Sequence, residues 1–389
     1  MILFLDGGPS LYAAKRPYFR PVIFVLILAS FLFLGCAAAT NTNWPGISTD
    51  GKLVYVAGGT QIKAYDPATQ QEVWAYPEEP GRAQFFAEPS VENGRLVIGD
   101  YGVPGGFFNP LPTVTLYGID TTTNPPSLLW TNTELAKDRY VAPALQDNGR
   151  VFVGTSDNKV VALDVETGEL LWPEPFETGH SIWGQPVLKD GVLYVSSLDR
   201  ALHALDAENG TELQRWEIDG AIASRPLLGD EYIYVTSFDG KLHALNYNEP
   251  TEAWSVAAAN WIWGGAASAN GTVVFADVEG NVFAVDASTG AQKWQTQVFG
   301  AVQTRPVVVN DVVYLASEGD LETEQGALTA VSLATGDILW QQSTPAPLYT
   351  TPVVVEDTII VALQSESALL IGYDLAAGSQ RWVIAPPAN

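Results

Sequence analysis

Carboxylates are the commonest chemistry-bearing side chains in this 389-residue chain: 44 Asp and Glu stand against 19 Lys and Arg, with three His and one Cys. Nitrogen or sulfur ligation would have to draw on His180, His203, His243 and Cys36. That supply is thin, and one cysteine excludes a four-cysteine zinc site, an internal disulfide or a CxxC redox pair. The densest acidic run, Glu318-Gly-Asp320-Leu-Glu322-Thr-Glu324, alternates acid with non-acid. It lacks the Asp-x-Asp-x-Asp-Gly order of a calcium loop and reads as a solvated hairpin tip. No GxSxG, HExxH, P-loop or GxGxxG sequence occurs. A net charge of -25 opposes phosphate backbones, so nucleic acid is not an expected partner. Neither a metal nor a catalytic residue is assigned.

The first forty residues read as an address. KRPYFR at 15–20 precedes an uncharged apolar run over 22–35, which ends at Cys36, the layout of a secretory signal. Leu32-Phe33-Leu34-Gly35-Cys36 resembles the bacterial lipobox, although Phe33 and Leu34 are bulkier than the residues usual there. The expected organisation is a signal peptide over 1–35, lipidation at Cys36, a tether over 36–43 and one folded domain over 44–389. A signal-anchor helix and soluble secretion are the alternatives.

One pattern fills the remainder. Trp74, Trp130, Trp172, Trp216, Trp254, Trp294, Trp340 and Trp382 each close a unit of about 44 residues. Within a unit the period is two: Val192, Tyr194 and Ser196 share one face and Leu193, Val195 and Ser197 the other, both mostly apolar. Such strands are covered on both sides. Turn signals divide every unit into four strands. The prediction is an all-β, eight-bladed β-propeller of four-stranded antiparallel blades, with seven blades as the alternative because insertions at 100–113 and 318–325 degrade two copies. Asp66, Asp120, Asp164, Asp206, Asp286 and Asp374 occupy one repeat position, where a short acceptor caps the next turn. The eight tryptophans are expected in blade-to-blade packing. His203 and His243 share a repeat position and are expected to pack or hydrogen-bond.

Ala162-Leu-Asp164-Val-Glu-Thr167-Gly168-Glu-Leu-Leu-Trp172 and Ala284-Val-Asp286-Ala-Ser-Thr289-Gly290-Ala-Gln-Lys-Trp294 resemble the repeat of the PQQ-like (quinoprotein) propeller family. Together with the lipobox and the size, the chain is similar to BamB-type lipoproteins of outer-membrane protein assembly. That resemblance implies an exported, lipid-anchored, non-catalytic scaffold that works as a monomeric ring, binds protein partners in the cell envelope and needs no cofactor. Its location would be the outer membrane facing the periplasm, or the cell surface in an organism with one membrane. Quinoprotein alcohol dehydrogenases hold pyrroloquinoline quinone and calcium in the channel, typically under a vicinal disulfide that a single cysteine cannot form. A dehydrogenase-like enzyme and a ligand-sensing or adhesion propeller are the competing readings, since fold alone does not carry function.

Recognition residues are expected on one face of the ring, where the connections entering the innermost strands and the turns between second and third strands emerge. The connections carry Phe86 and Glu88, Tyr140, Trp183 and Gln185, Arg225, Trp261 and Trp263, Arg305, and Tyr349. The insertion in the second unit adds Tyr101, Phe107 and Phe108. Aromatics and arginines dominate binding hot spots, so this face is the expected docking surface.

Overall fold

The computed structural model describes residues 45–103, 112–320 and 322–386. Cys36, Phe107 and Phe108 lie outside the described residues.

Eight four-stranded antiparallel sheets, each made of four consecutive strands, form the blades of a ring. Blades 1 to 8 span 46–76, 90–132, 145–177, 187–217, 227–257, 267–297, 307–344 and 353–384. The first hairpin of several blades turns on a residue pair with both φ angles positive, as at Asn93-Gly94, Asn148-Gly149, Asp190-Gly191 and Asn270-Gly271. Type I′ turns require that geometry, and their twist matches the strands they join. In blade 4, Val192–Ser196 pairs with Ala201–Asp206 in the register Val192↔Asp206, Tyr194↔Ala204 and Ser196↔Leu202. A bulge between Ala204 and Leu205 then re-aims the outer strand Glu212–Glu217. Blade 3 departs from this plan. Its outer strand is the short Phe176–Glu177, because Pro173 and Pro175 follow Trp172 and proline has no N–H to give to a ladder.

Apolar residues on both faces of each blade meet those of its neighbours. Val97, Leu116 and Trp130 of blade 2 pack with Val151, Val161 and Leu163 of blade 3. The same layer closes the circle: Ile47, Val54, Val56 and Tyr65 of blade 1 share a core with Ile360, Leu370, Trp382 and Ile384 of blade 8. Ring closure therefore rests on side-chain packing between complete blades rather than on a strand exchanged between them.

The repeat tryptophans add a hydrogen bond to this packing. Trp130 Nε1 donates to Val165 O at 2.8 Å, Trp172 to Ala207 O at 3.2 Å and Trp294 to Leu333 O at 2.7 Å. Every one of those acceptors belongs to the next blade. Asp164 Oδ1, at the repeat aspartate position, accepts from the N–H groups of Glu166 at 3.0 Å and Thr167 at 2.9 Å, which fixes the turn that leads to the tryptophan strand.

Candidate functional site: the mouth of the central channel

Each innermost strand is entered through a connection whose last residue, in most blades, precedes a proline. Glu88, Ala142, Gln185, Arg225, Arg305 and Thr351 all stand immediately before Pro, and Gly265 takes the position in blade 6. A residue before proline is restricted to extended backbone, so one repeat position is held in one conformation around the ring. Glu88, Gln185, Arg225, Gly265, Arg305 and Thr351 line a cavity of about 180 Å³ at the channel mouth, together with Trp183, Trp263 and Tyr349. A second cavity of about 360 Å³ shares Arg225 and Arg305 and is otherwise walled by strand residues such as Leu145, Val187, Leu188 and Leu227. The two arginines thus stand between a polar mouth and a more apolar chamber.

Neighbouring turns hold these connections in place. Leu198 N–H donates to Ser181 O at 3.0 Å, Phe238 N–H to Ala221 O at 3.0 Å, Val278 N–H to Trp261 O at 3.0 Å and Glu318 N–H to Ala301 O at 2.9 Å. In the first three pairs the donor lies in a turn between second and third strands, and in the fourth near the end of the second strand Val312–Asp320; the acceptor lies each time in an entering connection, so the two sets share a face. The buried Asp277 is a fastener of the same kind. Its Oδ2 accepts from Asn260 N–H at 3.1 Å and its Oδ1 from Glu279 N–H at 3.0 Å. Adjacent connections also touch each other: a Cβ on Gly264 would sit 2.2 Å from Thr304 O. Only glycine fits there.

Electrostatically the mouth stands apart from the rest of the acidic molecule. Arg225 Nη1 donates to Gln185 Oε1 at 2.8 Å, and Gln185 Nε2 is anchored on Ala144 O at 2.8 Å. Burial and then the charge of Arg305 lower the pKa of Arg225, against a smaller opposing effect of Glu88. Glu88 presents its side chain to the cavity, yet it is set deep among protein atoms. This confinement raises its pKa, and Arg305 and Arg225 only partly offset it.

Beside the arginines lies an aromatic platform. Trp183 and Trp263 have ring centroids 6.0 Å apart, and Phe238 stacks on Trp263 at 5.1 Å and on Trp261 at 6.4 Å. Trp261 is 60% exposed and Trp263 38%.

Of the expected recognition residues, Glu88, Trp183, Gln185, Arg225, Trp263, Arg305 and Tyr349 come together at the mouth, with Trp261 on the adjoining platform. Phe86 and Tyr140 do not present themselves to a partner. Phe86 is 7% exposed and packs edge-on to Tyr101 at 5.1 Å, while Tyr140 is 1% exposed and fills the space left by Gly99. The ring of Tyr140 belongs to the core between blades 2 and 3, and that of Phe86 is covered by Tyr101 of the second unit's insertion. Tyr101 is half-buried, under the Arg139 guanidinium at 5.7 Å. The acidic hairpin is solvated at Glu322 and Glu324 but not throughout. Glu318 turns inward to bond Gln303 and is buried, and the chain reverses beyond Asp320. Three residues of the site are absent from the expected set, among them Gly265, which takes the repeat position without its proline. Thr351 carries the available signal, its place before the repeat proline, whereas Phe238 lies in an ordinary Phe-Asp-Gly turn.

His203 and His243 are buried and bracketed by carboxylates. His203 meets Glu212 through Nδ1 at 2.7 Å and Asp199 through Nε2 at 3.1 Å, and His243 meets Glu252 and Asp239 in the same way. These are cross-strand braces in which each ring nitrogen has its own carboxylate, so the ligands do not converge. His180 is exposed in the connection entering blade 4.

Fold and repeat together define a β-propeller of eight PQQ-like blades. The model of the family described as "Outer membrane protein assembly factor BamB" matches residues 38–172, 121–213, 175–260 and 240–388, and the chain belongs to that family. Among solved structures, BamB from Moraxella catarrhalis is similar, with a TM-score of 0.63 at 17% identity over 82% of this chain and 90% of that one. The computationally designed Ika8 protein is similar with a TM-score of 0.68 at 13% identity, covering 88% and 97%. At these identities the likeness is one of fold. Curated relatives include "Quinoprotein ethanol dehydrogenase" of Pseudomonas aeruginosa, 25% identical over 53% of this chain and 36% of that protein. "Lanthanide-dependent methanol dehydrogenase" of Methylacidiphilum fumariolicum is 34% identical over 20% of this chain and 15% of that protein. The chain thus spans little more than a third of the length of these relatives at most.

The channel mouth does not fit a quinone held with a divalent cation. It offers one carboxylate, Glu88, beside two guanidinium groups, and the described residues contain no group of three or more His, Cys, Asp or Glu able to hold a metal ion.

Proposed function

We propose that this chain is a non-catalytic docking scaffold of the cell envelope, exported and tethered through a lipid on Cys36, and that it serves outer-membrane protein assembly. The observation that carries the reading is the solvent-exposed platform of Trp261, Trp263 and Phe238 beside the arginine-lined mouth, on a face braced by turn-to-connection hydrogen bonds. Exposed aromatics next to arginines on a rigid frame have the composition of a binding hot spot. Family membership supports the assembly role, and the lipobox-like sequence supports the tether. The donor set at the mouth argues against quinone-dependent dehydrogenation.

A photoreactive amino acid placed at Trp261 is expected to cross-link a protein partner in native membranes, and one placed at Thr167 on the opposite face is expected not to. Trp261→Asp should abolish retention of that partner without lowering the melting temperature. Cross-linking from Thr167 alone would put docking on the other face.

A further inference from the structure

We infer that the channel mouth is a receptor for a carboxylate, presented by an acidic side chain on the docked protein segment, with Arg225 and Arg305 as its two forks. The inference rests on the docking reading above and deepens it.

Lack of an ion pair together with a shared cavity sets these two arginines apart, since Arg82 and Arg200, which also have no ion pair among the described residues, are exposed and do not line the mouth. Arg95 meets Asp120 and Glu166, Arg150 meets Asp147, and Arg381 meets Asp357 and Asp374. Among the described residues, neither Arg225 nor Arg305 stands within ion-pairing distance of a carboxylate, although the chain carries 44 acids. They occupy the same repeat position in blades 5 and 7, where blades 3, 4, 6 and 8 place Ala, Gln, Gly and Thr. Two guanidinium groups around one small cavity repel each other, and with Glu88 ionised the three charges still sum to +1. An acid entering the cavity relieves that repulsion.

Local geometry prepares the forks. Gln185, itself anchored on Ala144 O, accepts from Arg225 and holds its plane. Gly265 lies beside the stem of Arg305, where a Cβ would meet Arg305 Cδ at 3.5 Å, an ordinary contact distance. A guanidinium matches a carboxylate with two parallel N–H···O bonds, which an ammonium cannot do. The cavity of about 180 Å³ admits a side chain rather than a folded element. The aromatic platform lies where residues flanking the acid would rest. Because the remainder of the molecule is strongly acidic, the mouth is the place on this face where an acid gains rather than loses.

The test uses random twelve-residue peptides displayed on phage and selected on the intact purified protein, followed by calorimetry with the leading synthetic peptide. Selected peptides are expected to carry Asp or Glu next to an aromatic or aliphatic residue. The leading peptide should bind the Arg225→Gln/Arg305→Gln variant at least about tenfold more weakly, as should its own Glu→Gln version on the unmodified protein. The second arm needs no altered protein, so a folding defect cannot mimic it. Selection without acidic enrichment, an empty selection, or equal binding by the double variant would overturn the inference. Glutarate binding as tightly as the peptide would overturn the protein-borne source and assign the mouth to a free carboxylate. The two readings fail separately. Persistent cross-links from position 261 without acidic peptides would leave docking intact and remove the receptor. Acidic peptides without those cross-links would remove docking alone.

Discussion

Gly210 lies flat against the indole of Trp172, so close that a Cβ built on it would stop 2.6 Å from the ring. The contact crosses a blade boundary, since Trp172 follows the third strand of blade 3 and Gly210 sits in the last turn of blade 4. Gly168 on Trp130, Gly290 on Trp254, Gly336 on Trp294 and Gly378 on Trp340 repeat it. The segment from the turn glycine to its tryptophan, four residues on from Gly168, Gly290, Gly336 and Gly378 and six on from Gly210, is therefore a connector: its glycine receives the tryptophan of the preceding blade, and its tryptophan reaches the following one. Blade 5 has Asn248-Glu249-Pro250 in place of the glycine turn, and there Trp216 Nε1 donates to both Asn246 O and Glu249 O.

Truncating Trp172 to Ala should cost about 3 to 5 kcal/mol, the range for a buried aromatic. Gly210→Ala should cost more than about 1 kcal/mol, because Ala adopts the φ of +77° with strain and its methyl strikes the indole. In the Trp172→Ala background the second loss should shrink, since only the backbone strain remains. Urea titrations of the two single variants and the double variant would show this, and strictly additive losses would contradict the contact.

Asp199 makes stability depend on acid. Burial pushes its carboxyl up, but the His203 hydrogen bond, the Gly179 N–H and the charge of His203 outweigh that and bring it to about 2, below the ordinary 3.8. A carboxyl lowered on folding stabilises the fold above its unfolded pKa and ceases to do so as pH falls through its folded one. Asp199→Asn should therefore be less stable than the parent at pH 7, with the gap closing between about pH 4 and pH 2. Thermal melts at pH 7, 4 and 2 would test the sign. A gap that widened in acid would be wrong for this environment.

Cys36 is expected at the amino terminus of the mature chain, carrying a diacylglyceryl thioether. Intact mass spectrometry of protein from the native membrane should show a mass lacking residues 1–35 and increased by the lipid. Cys36→Ser should leave the membrane fraction. A mature chain that retained residues 1–35 would instead favour an anchor helix.

The blades and their order were legible in the sequence because every blade is made from consecutive strands. Alternating apolar residues, Asn-Gly turns and the tryptophan all act within about 45 residues of one another, and local signals of that kind survive in a one-dimensional reading. The two degraded copies left seven or eight open. In the folded ring, blade 2 keeps its strands because Asp100 caps both ends of its insertion, accepting from Gly102 N–H and Thr115 N–H at 2.9 Å each.

Which aromatics face solvent was not legible. Phe86 and Trp263 both stand in entering connections, yet Phe86 enters a core with Tyr101 while Trp263 stacks on Phe238 in the open. That difference depends on residues of neighbouring turns, and no local pattern encodes it. Sequence alone established the repeat, the acidic surplus and the single cysteine. Only closure of blade 8 onto blade 1 brought Glu88, Arg225 and Arg305, far apart along the chain, around one cavity. Unpaired guanidinium groups set against each other are a property of that ring, since charges interact through distance in space and not through position along the chain.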